Sequence, residues 1–235
     1  MGKTSEIKTI TINRKLLLDF QSSEAYKTLR SNIEFCGGDI RNIAITSCMP
    51  NEGKSNVSFN LAIAMAEAGK KVLFIDADMR KSVLRSRYDM SKSTVGLSHF
   101  LIGMNPLEEV IYKTNIPRFY MIPTGAIPPN PAELLGLKRF KDAIKSFGTI
   151  FDYVIIDTPP LGSVIDSAIV AKECDGVALV VESSAVSRVL AERVLNQLKK
   201  ADCNILGVIL NKVDVGGKAY GKYYGKYYGD YYGEK

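Results

Sequence analysis

The sequence predicts an α/β fold with a doubly wound, mostly parallel sheet. Three observations carry this: short β-branched runs recur along the chain, helical stretches separate them, and an early strand and loop end in Gly-Lys-Ser opening a helix. Strands that are apolar almost throughout, as these are, belong in a parallel sheet covered on both faces. In chain order, a helix is expected at about 24–35 and a strand at 42–46. The next helix, 54–68, is rich in Ala, Leu, Ile and Met and stops at Gly69. Strands follow at 71–75, 118–122, 153–156, 176–181 and 205–210, and helices at 137–147, 161–173 and 187–201. No linker is long enough to divide the chain into two domains. Residues 1–40 therefore form an N-terminal arm and helix, 41–214 the globular domain, and 215–235 a flexible tail.

Composition bounds the partners. The 235 residues are 46% hydrophobic and 24% charged, which suits one ordinary globular domain with short ends. Net charge is +6, but the basic residues are scattered among 25 acidic ones, so no nucleic-acid partner is expected. Cys36, Cys48, Cys174 and Cys203 show no metal or disulfide spacing, the pattern of reduced thiols in a cytoplasmic protein. The longest apolar runs are too short to span a bilayer, so membrane association would come through a partner. His99, the only histidine, sits in an apolar helical stretch at 95–101, which disfavours a Ser/His/Asp hydrolase.

The segment Ile43-Ala-Ile-Thr-Ser-Cys-Met-Pro-Asn-Glu-Gly-Lys-Ser55 has the strand, loop and helix that a phosphate-binding P-loop requires. Pro50, Asn51, Glu52 and Gly53, with Lys54, Ser55 and Asn56 on the helix, would surround the phosphates. Lys54 would reach the terminal ones, and Ser55 would hold Mg²⁺. Cys48 stands where the usual pattern has its first glycine. Asn51 tolerates left-handed backbone angles and can replace a further glycine.

Two acidic strand ends accompany the loop. Asp76 and Asp78 lie just past one strand and Asp157 ends another, on the side where open parallel sheets bind ligands. Three carboxylates there can hold Mg²⁺ directly or through water, and one can accept a proton from an incoming hydroxyl. Each Asp alone also fits a turn or cap. Asn211-Lys-Val-Asp214 matches the guanine-reading NKxD pattern, so GTP competes with ATP at this stage, and Asn211 also fits a simple turn residue.

Seven of the twelve tyrosines, Tyr220, Tyr223, Tyr224, Tyr227, Tyr228, Tyr231 and Tyr232, lie in the last sixteen residues in a Tyr-Tyr-Gly repeat. Composition leaves three readings open: phosphoacceptors, a sticky disordered terminus, or an aromatic segment that binds a partner.

These motifs together resemble the bacterial tyrosine kinases, which are built on a P-loop fold similar to that of the MinD and ParA ATPases. The resemblance covers nearly the whole chain. Residues 46–55 resemble Walker A, Val72-Leu-Phe-Ile-Asp-Ala-Asp-Met-Arg80 the family's A′ element and Tyr153-Val-Ile-Ile-Asp157 Walker B, while Gly125-Ala-Ile-Pro-Pro-Asn-Pro-Ala-Glu-Leu-Leu135 matches a further family motif. The resemblance implies an ATP- and Mg²⁺-dependent protein-tyrosine autokinase that acts on its own tail between subunits and regulates capsular and exopolysaccharide synthesis. In that scheme Lys54, Asp76 and Asp78 are catalytic, with Asp76 the base. Ser55, Asp78 and Asp157 hold the metal, and Asn211 meets the base of the nucleotide. Glu24-x-x-Lys27-x-x-Arg30 resembles the family's oligomerisation motif, with Lys27 in place of an Arg, and implies a homo-oligomeric ring. The same family implies a membrane-bound activator of the polysaccharide co-polymerase type, recruitment to the inner face of the cell membrane, and a tyrosine phosphatase that reverses the modification. The alternative is a ParA- or MinD-like nucleotide switch whose tail binds a partner, but Met49 stands where that class carries its signature lysine.

Overall fold

A strand buried on both faces has to place apolar side chains above and below the sheet, and the chain does this repeatedly. The computed structural model describes residues 8–12, 19–84 and 94–214. Its strands are β1 (Thr9–Ile10), β2 (Asn42–Ser47), β3 (Val72–Asp76), β4 (Tyr112–Thr114), β5 (Phe119–Ile122), β6 (Tyr153–Asp157), β7 (Gly176–Glu182) and β8 (Ile205–Asn211). They form one sheet in the order β1-β4-β5-β3-β6-β2-β7-β8, parallel throughout except for the β4/β5 pair.

The helices are α1 (Phe20–Glu34), α2 (Lys54–Glu67), α3 (Leu97–Leu101), α4 (Leu107–Val110), α5 (Pro131–Leu135), α6 (Lys138–Ile150), α7 (Asp166–Lys172) and α8 (Arg188–Lys200). On one face of the sheet, Ile43, Ile45, Val72, Phe74, Ile155, Ala178 and Val180 pack against Val57, Leu61 and Met65 of α2. There the edge-on rings of Phe59, Phe74 and Phe119 fill the centre. On the other face, alternate residues Ala44, Leu73, Ile75, Val154, Ile156 and Leu179 meet Phe140, Ile144 and Phe147 of α6, Val170 of α7 and Val194 and Leu198 of α8. The alternation along each strand accounts for the all-apolar runs.

The predicted parallel sheet is present, and each predicted strand lies within about a residue of its position. Three features differ. The arm contributes β1, which pairs with β4, and Ile12 joins the core. Short β4 turns back antiparallel to β5, too brief to leave a periodic signal. Helix α7 begins at Asp166 instead of 161, because Pro159, Pro160 and the following turn carry the chain past the end of β2 first. The tail lies outside the described residues.

Candidate active site

The carboxyl ends of β2, β3 and β6 meet at one place. Strand register sets Asp76 of β3 directly opposite Asp157 of β6, and Asp157 opposite Ile45 just before the loop that follows β2. That loop reaches α2 through Gly53, whose φ of 88° only glycine adopts freely, and α2 starts with no side-chain cap. An uncapped helix start of 14 residues presents backbone N–H groups and a positive dipole end to an anion. Asn51 is left-handed at φ 69°, the conformation its side chain type predicts.

Lys54 crosses the site. Its ammonium lies 2.9 Å from Asp78 Oδ2 and 3.9 Å from Asp157 Oδ2, and it donates to Ser55 Oγ at 3.1 Å. Burial opposes the charge, yet the Asp157 and Asp78 carboxylates outweigh it and raise the pKa of Lys54. Asp76 is buried, and burial, followed by the Asp157 charge, pushes its pKa well above the usual carboxylate range. The Ser82 hydroxyl donates to Asp76 and opposes that rise. Asp78 accepts the N–H of Lys81 at 3.1 Å, which ties the A′ loop to the ammonium of Lys54.

Not every expected residue faces this centre. Pro50 has no N–H to offer and is exposed, so it shapes the turn. The amide of Asn56 is spent on the Gly53 carbonyl at 3.0 Å, inside the helix. Glu52 turns its carboxylate beneath the loop, where it accepts the N–H of Met49 and, at 2.9 Å, that of Glu182. Asn211 donates to the Glu52 carbonyl at 2.8 Å, which makes it a support of the loop. The three carboxylates do not form an all-protein cage by themselves: among the described residues no three acidic, His or Cys side chains are arranged to hold an ion. The set fits Mg²⁺ in a different way. Asp157 Oδ1 is buried with no hydrogen-bond partner, and the hydroxyl of Ser55, in the first turn of α2, lies close to the same carboxylate. Mg²⁺ characteristically takes only one or two carboxylates and completes its shell with phosphate and water.

The sequence did not disclose two supports. Arg80 closes the A′ loop onto Asp166 with a bidentate fork, Nε to Oδ2 at 2.8 Å and Nη2 to Oδ1 at 3.0 Å. Gly162, in the loop after β6, lies against Cys48, where a Cβ would come within 2.1 Å of the Cys48 carbonyl oxygen. The conventional first glycine of the P-loop is thus not needed at Cys48, while a glycine is needed opposite it. Cys48 itself is buried, and burial followed by the Glu52 charge pushes its thiol up to about 11, which makes it a packing residue. Gly162→Ala is expected to force the loop off its seat at a cost of about 2 kcal/mol. Thermal unfolding and nucleotide titration of the full chain would both register it.

Glu24 and Lys27 pair with each other at 2.7 Å on the exposed face of α1, and Arg30 donates to the Ala64 carbonyl near the end of α2. His99 is engaged locally, accepting the Gly96 N–H at 3.2 Å.

A phosphate loop at a parallel-strand end, a lysine bridging the acids at two neighbouring strand ends and the buried Asp76 between them define a P-loop nucleotide-binding enzyme. The family model described as "AAA domain" matches residues 40–207. The chain is 41% identical over 210 residues, 89% of its length and 92% of the relative's, to the tyrosine-protein kinase CpsD of Streptococcus agalactiae. Among solved structures it is similar to the chimerical protein CapA2B2, with a TM-score of 0.79 at 32% identity over 88% of this chain and 93% of that one. The kinase domain of the Escherichia coli tyrosine kinase ETK gives a TM-score of 0.79 at 32% identity, covering 90% and 84%. The MinD protein of Pyrococcus horikoshii is more distant, with a TM-score of 0.63 at 28% identity over 78% and 76%. The chain belongs to the bacterial P-loop tyrosine-protein kinases, on a fold shared with MinD.

Proposed function

We propose that this kinase uses Mg²⁺-ATP to phosphorylate the tyrosines of its own tail, between subunits of an oligomer, and so regulates capsular or exopolysaccharide synthesis. One observation carries the reading: the last described residues lie beside the nucleotide site. Lys212, two residues before the last described residue, donates to the Asn51 carbonyl of the P-loop at 2.8 Å. The described chain thus ends beside the P-loop, and the tyrosine-rich segment follows it in sequence.

In this reading the phenol enters between the ends of β3 and β6. Its proton, with a pKa of about 10, passes to Asp76 as its oxygen forms a bond to the γ-phosphorus and the bond to the β–γ bridging oxygen breaks, releasing ADP. Burial makes Asp76 a better proton acceptor than an exposed carboxylate. Lys54 exchanges Asp78 and Asp157 for the phosphates and offsets their charge. When bound, Mg²⁺ supplies further charge neutralisation through Ser55, Asp157 and Asp78.

ATP is favoured over GTP because the A′ element and the tyrosine-rich tail go with an ATP-dependent tyrosine kinase, while Asn211 spends one amide N–H on the loop backbone. Met49 has no ammonium to offer a second subunit's nucleotide, which disfavours the switch-ATPase reading. No helix among the described residues is long and apolar enough to cross a membrane. A separate membrane protein would then recruit and activate the kinase, and a similar structure that is a chimerical protein, CapA2B2, fits a kinase working joined to a partner. Glu24, Lys27 and Arg30 on α1 are the proposed assembly residues. Changing all seven tail tyrosines to phenylalanine should abolish labelling of the full chain by ATP, whereas any single change should leave it. Persistent phosphotyrosine in the sevenfold variant would place the acceptor elsewhere.

A further inference from the structure

A loop that turns its N–H groups inward to phosphate must turn carbonyls outward, and each outward carbonyl near the protein surface needs a donor if the loop is to hold its shape without nucleotide. Here consecutive residues at the end of β8 supply them. Asn211 Nδ2 donates to the Glu52 carbonyl at 2.8 Å, and Lys212 Nζ donates to the Asn51 carbonyl at 2.8 Å. The same ammonium pairs with the Glu182 carboxylate, also at 2.8 Å, at the end of β7. Beneath the loop, Glu52 accepts the backbone N–H of that same Glu182 at 2.9 Å. The ends of β7 and β8 therefore hold the apex of the P-loop from outside and from below.

The backbone reinforces this reading. Lys212 is left-handed at φ 55°, and so is Asn51 at φ 69°, the residue whose carbonyl it holds. A lysine gains nothing locally from that conformation, and such residues persist where surrounding contacts over-determine them. The close fit leaves little freedom: a Cβ on Gly53 would lie 2.3 Å from Asn211 Nδ2.

We propose that Lys212, oriented by Glu182, is a positioning residue for nucleotide binding, one that pre-forms the phosphate loop by holding the Asn51 carbonyl and does not itself touch the nucleotide. The inference rests on the nucleotide site described above and needs no assumption about which tyrosine is modified. A charge-assisted hydrogen bond lost from a binding loop weakens affinity about tenfold.

The test is titration of the full-length protein with Mg²⁺-ADP, Mg²⁺-ATP and Mg²⁺-GTP by calorimetry. Lys212→Met is expected to weaken ADP and ATP alike by about tenfold, with the ratio of ATP to GTP affinity unchanged. Lys212→Arg, which can reach the same two acceptors, should recover most of the loss. Glu182→Gln, which keeps an acceptor but removes the ion pair, should fall between them. Unchanged affinity in Lys212→Met overturns the proposal. So does a loss confined to ATP, which would put Lys212 on the γ-phosphate, or a changed ATP to GTP ratio, which would put it on the base. Binding is read without tyrosine labelling, so failure of the autokinase reading would leave this result interpretable.

Discussion

Lys54→Met is expected to lower tail phosphorylation about 1,000-fold, the scale seen when one pre-organised charge is removed from a transferring phosphoryl group. The geometry explains why no neighbour substitutes. Lys54 lies 2.9 Å from Asp78 and 3.9 Å from Asp157, so it is the cation already placed among the carboxylates that the phosphates must approach. Without it, triphosphate and buried aspartates repel one another. The substitution also has a pH signature. Burial raises the folded-state pKa of Asp76 and Asp157 above the ordinary 3.8, so from 3.8 up to those raised values the folded protein binds more protons than the unfolded chain. Stability of the nucleotide-free protein then falls as pH rises through that interval. Removing the ammonium raises both pKa values further, so the stability deficit of Lys54→Met should be larger at pH 8 than at pH 5. Thermal unfolding at the two pH values, beside phosphotyrosine detection at pH 8, separates lost chemistry from lost fold.

Arg80→Ala is expected to destabilise the protein by about 3 kcal/mol, roughly 10 °C in Tm for a chain of this size. Asp166 has no exposed side-chain surface, and the Arg80 fork supplies both of its charge-assisted bonds. Truncating the arginine leaves a buried carboxylate unpaired, which costs far more than losing a surface ion pair. The value lies at the low end for buried pairs because Arg80 itself is 41% exposed and Asp166 begins a helix, where a negative charge is favoured. Arg80→Lys keeps the charge but not the fork and should recover about half. Because Arg80 ties the loop bearing Asp76 and Asp78 to α7, kinase activity should fall with stability. A Tm change under 2 °C would show that Asp166 finds another partner.

Much of this architecture was legible because its signals are local. The central strands β2, β3, β6 and β7 are largely apolar runs of five to seven residues, the Gly-Lys-Ser turn has a fixed spacing, and Asn51 adopts the backbone its type favours. Strands β1 and β4, of two and three residues, are too short for any period to mark. The supports of the site were not legible for a different reason. Arg80 meets Asp166 across 86 residues and Lys212 meets Asn51 across 161, contacts that exist only once the sheet brings strand ends together. Asn211 carries a motif whose spacing suggests base recognition, and the fold adds a contact that the motif does not disclose, one amide N–H on the Glu52 carbonyl. The tail is legible as composition alone and lies outside the described residues, so its role stays a proposal that rests on the contact of Lys212 with the P-loop.

The central claim is that this P-loop site transfers phosphate to the tyrosines that follow it. Its most direct test is incubation of the purified full chain with Mg²⁺ and ATP, with and without the cytoplasmic segment of the proposed membrane activator, followed by mass spectrometry of the tail. The account predicts phosphate on several of Tyr220 to Tyr232, absent from Lys54→Met. ATP turned over to ADP with an unmodified tail would contradict it and make the chain a nucleotide switch.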